Sequence, residues 1–223
     1  MERGLVVVLG LVVGVVLVLG AFAVFAGDDN PGPAPATSFP AIDHEAVAAD
    51  GLLAAWQRWR TATFVSAGTW SRTVDGVAEP LTGPVYTAQR PPRRLVVRLG
   101  STVEEIDQTV ATCDSSDDEL VAPACLAGDS GLSFDERVAA ELVLVSGYVT
   151  SDARLYDVGR GEPGCFRVEL VVPVLAAPWG RWAEFCFDPA SGALASARVR
   201  RPSAVDLEII DVIRTEVDDA DFG

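Results

Sequence analysis

The 223-residue chain carries 32 acidic side chains against 17 basic ones, a net charge of −15, and every basic residue is arginine. The missing lysine excludes a P-loop phosphate site and Schiff-base chemistry, and the single histidine, His44, excludes a His-rich metal cluster. So acidic a chain also argues against sequence-independent nucleic-acid binding, which needs basic groups to displace counterions.

Gly4 to Ala26 is an unbroken apolar run, preceded by Glu2 and Arg3 and followed by Asp28 and Asp29. At ~1.5 Å per residue it would span about 35 Å, enough for a bilayer core of roughly 30 Å. With Arg3 inside, the positive-inside rule sends the rest of the chain across the membrane. Residues 1–27 are therefore expected to be a single-pass anchor or uncleaved signal in the cell membrane. The alternative is cleavage after Val24-Phe25-Ala26 and secretion. Residues 28–42, rich in proline, glycine and alanine, read as a semi-rigid stalk. Residues 43–223 then form one extracytoplasmic domain.

Asp43 is a plausible N-cap for a helix from His44 to Thr61, with Val47, Leu52, Leu53, Trp56 and Trp59 near helical spacing. Gly51 weakens that helix. Strands are predicted over Phe64–Thr73, Leu81–Arg90, Arg93–Leu99 and Thr102–Gln108. In the third, Leu95, Val97 and Leu99 form an apolar face, with Arg94 and Arg98 opposite. A second helix is expected from Phe134 to Gly147, opening on Asp135-Glu136. Five more strands follow: Arg154–Val158, Cys165–Val172, Arg181–Asp188, Ala193–Arg200 and Val205–Val217. The fold class is α+β: a large curved antiparallel sheet of eight to ten strands, an open half-barrel covered by two helices and preceded by the transmembrane helix.

Cys113, Cys125, Cys165 and Cys186 are an even set in a domain expected to face an oxidising space, so disulfides are the default. Three connectivities are possible, and spacing favours Cys113–Cys125 and Cys165–Cys186. A hairpin centred on Pro173–Gly180 would bring Cys165 opposite Cys186.

The chain resembles the LolA/LolB-like superfamily of extracytoplasmic lipid and lipoprotein carriers and related sensor domains. The resemblance rests on Gly68-Thr-Trp-Ser-Arg72, on Tyr86-Thr-Ala-Gln-Arg-Pro-Pro92, on Cys165-Phe166 and on Phe185-Cys-Phe-Asp-Pro-Ala-Ser-Gly-Ala-Leu194. It implies an open half-barrel whose apolar concavity holds an acyl chain under helical lids. A tether distinguishes this chain from carriers that shuttle freely.

The candidate ligand cavity comprises Trp56, Phe64, Trp70, Tyr86, Leu95, Val97, Phe134 and Leu142, with Trp59 and Leu144 as further aromatic and apolar candidates. The competing reading is ordinary core. Arg90, Arg93 and Arg94 form a basic cluster able either to meet a lipid phosphate or to neutralise nearby acids. Asp114 to Glu119 offers four carboxylates, read as a solvated loop rather than a calcium site because the EF-hand register is missing. Glu104, Glu105 and Asp107 read as solvated charge. His44 reads as a surface residue.

The expectation is a membrane-anchored, non-catalytic domain that binds a lipid or other apolar ligand and uses no cofactor. The alternative is an envelope protein-interaction or sensor module with no small-molecule ligand. Expected partners are the membrane, through residues 1–27, and a lipid, a lipoprotein or an envelope protein.

Overall fold

The computed structural model describes residues 42–98, 101–114, 124–174 and 176–223. The segments predicted as anchor and, nearly entirely, as stalk, together with most of the acidic loop, lie outside them. Among the described residues no helix is long and apolar enough to cross a membrane.

Helix α1 (Ala46–Thr61) buries Ala49, Leu52, Trp56 and Arg60, a stripe at three- and four-residue spacing that ends in a charge. Its N-cap is Glu45, without a side-chain hydrogen bond, and not the expected Asp43. Gly51 has a packing reason. A Cβ there would lie 3.0 Å from the ring of Phe166, so the glycine lets the helix approach the sheet. Helix α2 (Phe134–Val149) starts with a capping box, in which the Ser133 hydroxyl accepts from Glu136 N–H and the Glu136 carboxylate accepts from Ser133 N–H. Phe134, Val138, Val145 and Val149 are its buried stripe.

Eleven strands make one antiparallel sheet: β1 (Phe64–Val74), β2 (Leu81–Arg90), β3 (Arg93–Arg98), β4 (Ser101–Ile106), β5 (Thr109–Asp114), β6 (Ala124–Asp129), β7 (Tyr156–Arg160), β8 (Cys165–Leu170), β9 (Trp182–Phe187), β10 (Leu194–Arg200) and β11 (Ala204–Arg214). Their spatial order is β6-β5-β4-β3-β2-β1-β11-β10-β9-β8-β7. Two meanders, β1–β6 and β7–β11, meet through the long β1–β11 pair. Strands β6 and β7 are thus the two edges, and α2 is the connection between them.

Strands β5 and β6 were not expected. Asp107, in the left-handed region at φ 44°, turns the chain after Ile106, and β5 pairs back along the whole of β4. The predicted strand to Gln108 therefore stops two residues early. Both favoured disulfides form, each between directly opposed residues: Cys113–Cys125 joins β5 to β6, and Cys165–Cys186 joins β8 to β9.

The free edge of β7 is covered by the segment leading into α1. Glu45 N–H donates to the Val158 carbonyl at 2.9 Å, and Val158 N–H donates to His44 Nδ1 at 3.2 Å. His44 is therefore a half-buried acceptor against β7 and not a surface residue.

The main core lies between the helices and the β7–β10 half of the sheet. Trp56 packs against Trp179, Phe185 and Phe187, with ring centroids 5.5, 5.5 and 6.4 Å away. A smaller cluster of Val65, Ala88 and Phe222, with Tyr86, Leu95 and Val217 against it, lies on the other face, where a C-terminal 3-10 helix (Asp219–Phe222) packs.

Candidate functional site

The strand registers fix which side chains face the helices. Phe64, Gln89, Arg94, Glu105 and Val110 stand side by side in one row across β1–β5. Ser66, Thr87, Val96, Val103 and Thr112 form the next row on the same face. Further along come Val85 with Arg98, then Trp70 opposite Glu208, and Arg72 opposite Asp206.

This face carries two groups of ion pairs. In the first, Glu105 is a hub. Its Oε1 accepts from Arg94 Nη1 at 3.1 Å, and its Oε2 accepts from Arg60 Nη2 and Arg137 Nη2 at 3.4 Å each. Glu141 of α2 accepts from Arg60 Nε at 2.8 Å and from Trp56 Nε1 at 2.7 Å. The sheet and both helices are thus joined through charge. Gln89, fully buried, donates to the carbonyls of Trp59 and Ala62 at 2.7 Å each, satisfying the end of α1. In the second group, Arg98 pairs with Glu208, and both Arg72 and Arg201 pair with Asp206.

Burial pushes the Glu105 carboxyl up, but Arg94, Arg60 and Arg137 together outweigh it and hold the group below its ordinary pKa. Arg94 moves the other way: burial, reinforced by Arg60, lowers its pKa to about 10 against the pull of Glu105 and Glu141. A carboxylate ionised throughout the neutral range, with both oxygens occupied, is a poor general acid or base. The arrangement suits binding and positioning.

The predicted cavity residues divide between the two faces. Trp56, Phe64, Trp70, Phe134 and Leu142 lie on or under the helix-covered side. Tyr86, Leu95 and Val97 lie on the outer face, Tyr86 opposite Val97 and Leu95 opposite Ala88; the Tyr86 hydroxyl donates to the Asp221 carbonyl at 2.9 Å, and Leu95 packs near Phe222. The alternation in β3 is real, but its inward side is the charged one. Val97 is accordingly replaced among the inward candidates by Val96, which faces Val103 across β3 and β4. Leu144 is about half exposed, whereas Trp59 lies beside the main core.

The basic cluster also separates. Arg94 points inward to Glu105, while Arg93 and Arg90 lie over the ring of Phe222 at 4.3 and 5.7 Å and pair with Glu104 and Asp219. Glu105, read as solvated, is 8% exposed. It was hidden because its three partners come from α1, β3 and α2, far apart in sequence. The four-residue step from Trp56 to Arg60 was the available signal.

Residues 115–123 of the acidic loop lie outside the described residues, and among the described ones no three His, Cys, Asp or Glu side chains come together as a metal site. An open depression of about 660 Å³ lies between β11 and the β9–β10 turn, but Asp188, Asp211, Arg214 and Glu216 line it beside Ile210 and Ile213. Four charged groups around its rim make it a poorer place for an apolar ligand than the inner face.

No protein-family model matches the chain, and no curated protein matches it. Among solved structures it is similar to a LolA superfamily protein from Nitrosomonas europaea, at 8% identity and a TM-score of 0.34 over 80% of this chain and 98% of that one. It is also similar to the Mycobacterium tuberculosis lipoprotein LppX, at 14% identity and a TM-score of 0.33 over 76% and 98%. A DUF1329 family protein from Desulfovibrio piger matches at 11% identity and a TM-score of 0.31 over 82% and 98%. The superfamily that the sequence motifs resemble is thus among the structural matches, at scores that carry no functional argument.

Proposed function

We propose that the domain binds a lipid or other apolar ligand against the helix-covered face of its sheet, without catalysis. The observation that supports this is a mismatch of areas. Eleven strands at ~4.8 Å spacing span roughly 48 Å, whereas two 16-residue helices side by side cover about 24 by 20 Å. The apolar stripes of both helices pack over the β7–β10 half, where Trp56, Trp179 and Phe185 fill the space, while the end of α1 and the start of α2 reach β2–β4 through Gln89 and Glu105. Val96, Val103 and Val110, on the same face of the other half, remain half-buried. An acyl chain laid over these valines would complete their burial at roughly 25 cal/mol per Å² of apolar area.

A membrane anchor in residues 1–27 would hold such a domain beside a source of lipid, outside the cytoplasm. The net charge of −15 would keep its surface off an anionic bilayer, so the lipid site would be internal. Extracting the purified full chain with organic solvent and examining the extract by mass spectrometry tests this reading. A defined lipid near one per chain is expected; an extract no richer than that of a Val96→Asp/Val103→Asp variant would refute it.

The alternative, a protein-interaction module, draws support from β6. It is an edge strand with Leu126 82% exposed, a surface open to strand addition. Cross-linking that returns one specific partner from lipid-free protein would favour it.

A further inference from the structure

We infer that the arginine cluster on the inner face takes one anionic group, a carboxylate or a phosphate, and that the ligand is therefore an anionic amphiphile. This rests on the apolar-ligand reading and sharpens it. Three guanidiniums, Arg60, Arg94 and Arg137, meet two carboxylates, Glu105 and Glu141, which leaves one positive charge uncompensated. The site is well removed from water: Arg60 is 4% exposed, and the side chains of Arg94 and Arg137 are 14% and 10% exposed.

The hydrogen-bond inventory points the same way. Glu105 already accepts from three donors, yet Arg60 Nη1, Arg94 Nε and Arg137 Nε are buried with no acceptor. Arg137 Nη1 is met by the Asp107 and Leu132 carbonyls and by Ser130 Oγ, so what the network lacks is acceptors for those three buried N–H groups. Phe134 and Trp59 flank it, with guanidinium carbons 5.7 Å (Arg60) and 5.5 Å (Arg94) from their ring centres, so apolar surface adjoins the charge. Val110 stands next to Glu105 in the same row, and Val96 and Val103 lie one row away. The charge therefore sits at one end of the half-buried valines. A head at the arginines and a tail along the valines fits that order, with the arginine fork suited to two-oxygen groups.

The test titrates the full chain in a non-ionic detergent with cis-parinaric acid, with its methyl ester and with inorganic phosphate. These separate tail plus charge, tail alone and charge alone. The acid is expected to bind roughly tenfold more tightly than the ester, the scale of one charge-assisted hydrogen-bonded contact. Arg94→Gln and Arg137→Gln, which each bring the cluster to neutrality, are expected to abolish that preference and keep the ester's affinity. Arg93→Gln, on the outer face, should behave as the wild type. If one of the two inner variants does not fold, the other still decides. Equal binding of acid and ester to the wild type overturns the anion site and leaves the apolar reading standing. Neither tail binding, while phosphate raises the thermal midpoint of the wild type but not of Arg94→Gln, supports the anion site and sinks the apolar reading. No effect of any of the three overturns both.

Discussion

Arg98 on β3 reaches across β2 and β1 to pair with Glu208 on β11, spanning the inner face of the sheet. Glu208 is 8% exposed, whereas two-fifths of the Arg98 side chain remains accessible. The pair ties together strands whose backbones never meet. Arg98→Met is expected to destabilise the fold by about 1–2 kcal/mol, less than a fully buried pair because of that exposure. Urea denaturation checks it through a lower midpoint at unchanged slope.

Glu105→Gln removes the hub that separates three buried guanidiniums, and a loss of about 3 kcal/mol is expected. The pH dependence follows from the direction of the pKa shifts. Glu105 and Asp206 are both held below their ordinary values; burial pushes each up, but Arg94, Arg60 and Arg137 outweigh it for the first, as do Arg72 and Arg201 for the second. Their contribution is complete above the unfolded carboxylate values of 4.5 and 3.8, and it is lost as pH falls through the lower folded values. Thermal melts of the wild type should therefore be flat from neutrality to about pH 5 and fall steeply below pH 4.5, with a shallower fall in the variant.

Gly68 lies at the irregularity where β1 slips register against β11, and a Cβ there would be 2.0 Å from the Ile209 carbonyl oxygen. Only backbone can occupy that space. Gly68→Ala is expected to cost on the order of 3 kcal/mol by displacing the central strand pair. The same change at Gly128, where a Cβ meets nothing within 4 Å, should cost far less in parallel denaturation curves.

Much of this arrangement was readable beforehand. The two helices, nine of the strands, the β8–β9 hairpin and both disulfide pairs follow from periodicity, turn residues and cysteine spacing. The inner face did not. Alternation in β3 says that Leu95 and Val97 oppose Arg94 and Arg98, but it does not say which side meets the helices. The usual rule places apolar residues inward. That rule fails because Glu105 of β4 and Glu208 of β11 pair with Arg94 and Arg98, Arg60 and Arg137 from the helices share Glu105, and the C-terminal turn at Phe222 covers the apolar side. No local pattern encodes those meetings. Strands β5 and β6 were missed for a similar reason, since Cys113–Cys125 joins them across an acidic stretch that reads as loop.

The Cys165–Cys186 bridge closes a chain separation of 21 residues between β8 and β9. Replacing both cysteines by serine is expected to cost about 3 kcal/mol, mainly through a freer unfolded chain. The wild type titrated with a thiol reagent in denaturant should show no free thiol before reduction, consistent with all four described cysteines being paired.

The central claim is that the half-buried valines of β3–β5 complete their burial with a bound apolar chain. A crystal structure of the full chain, purified without removing lipid, measures this most directly. Continuous electron density of an extended ligand is expected against Val96, Val103 and Val110, with its polar end at Arg60, Arg94 and Arg137. Protein side chains packed onto those valines, with no ligand density between, would contradict it.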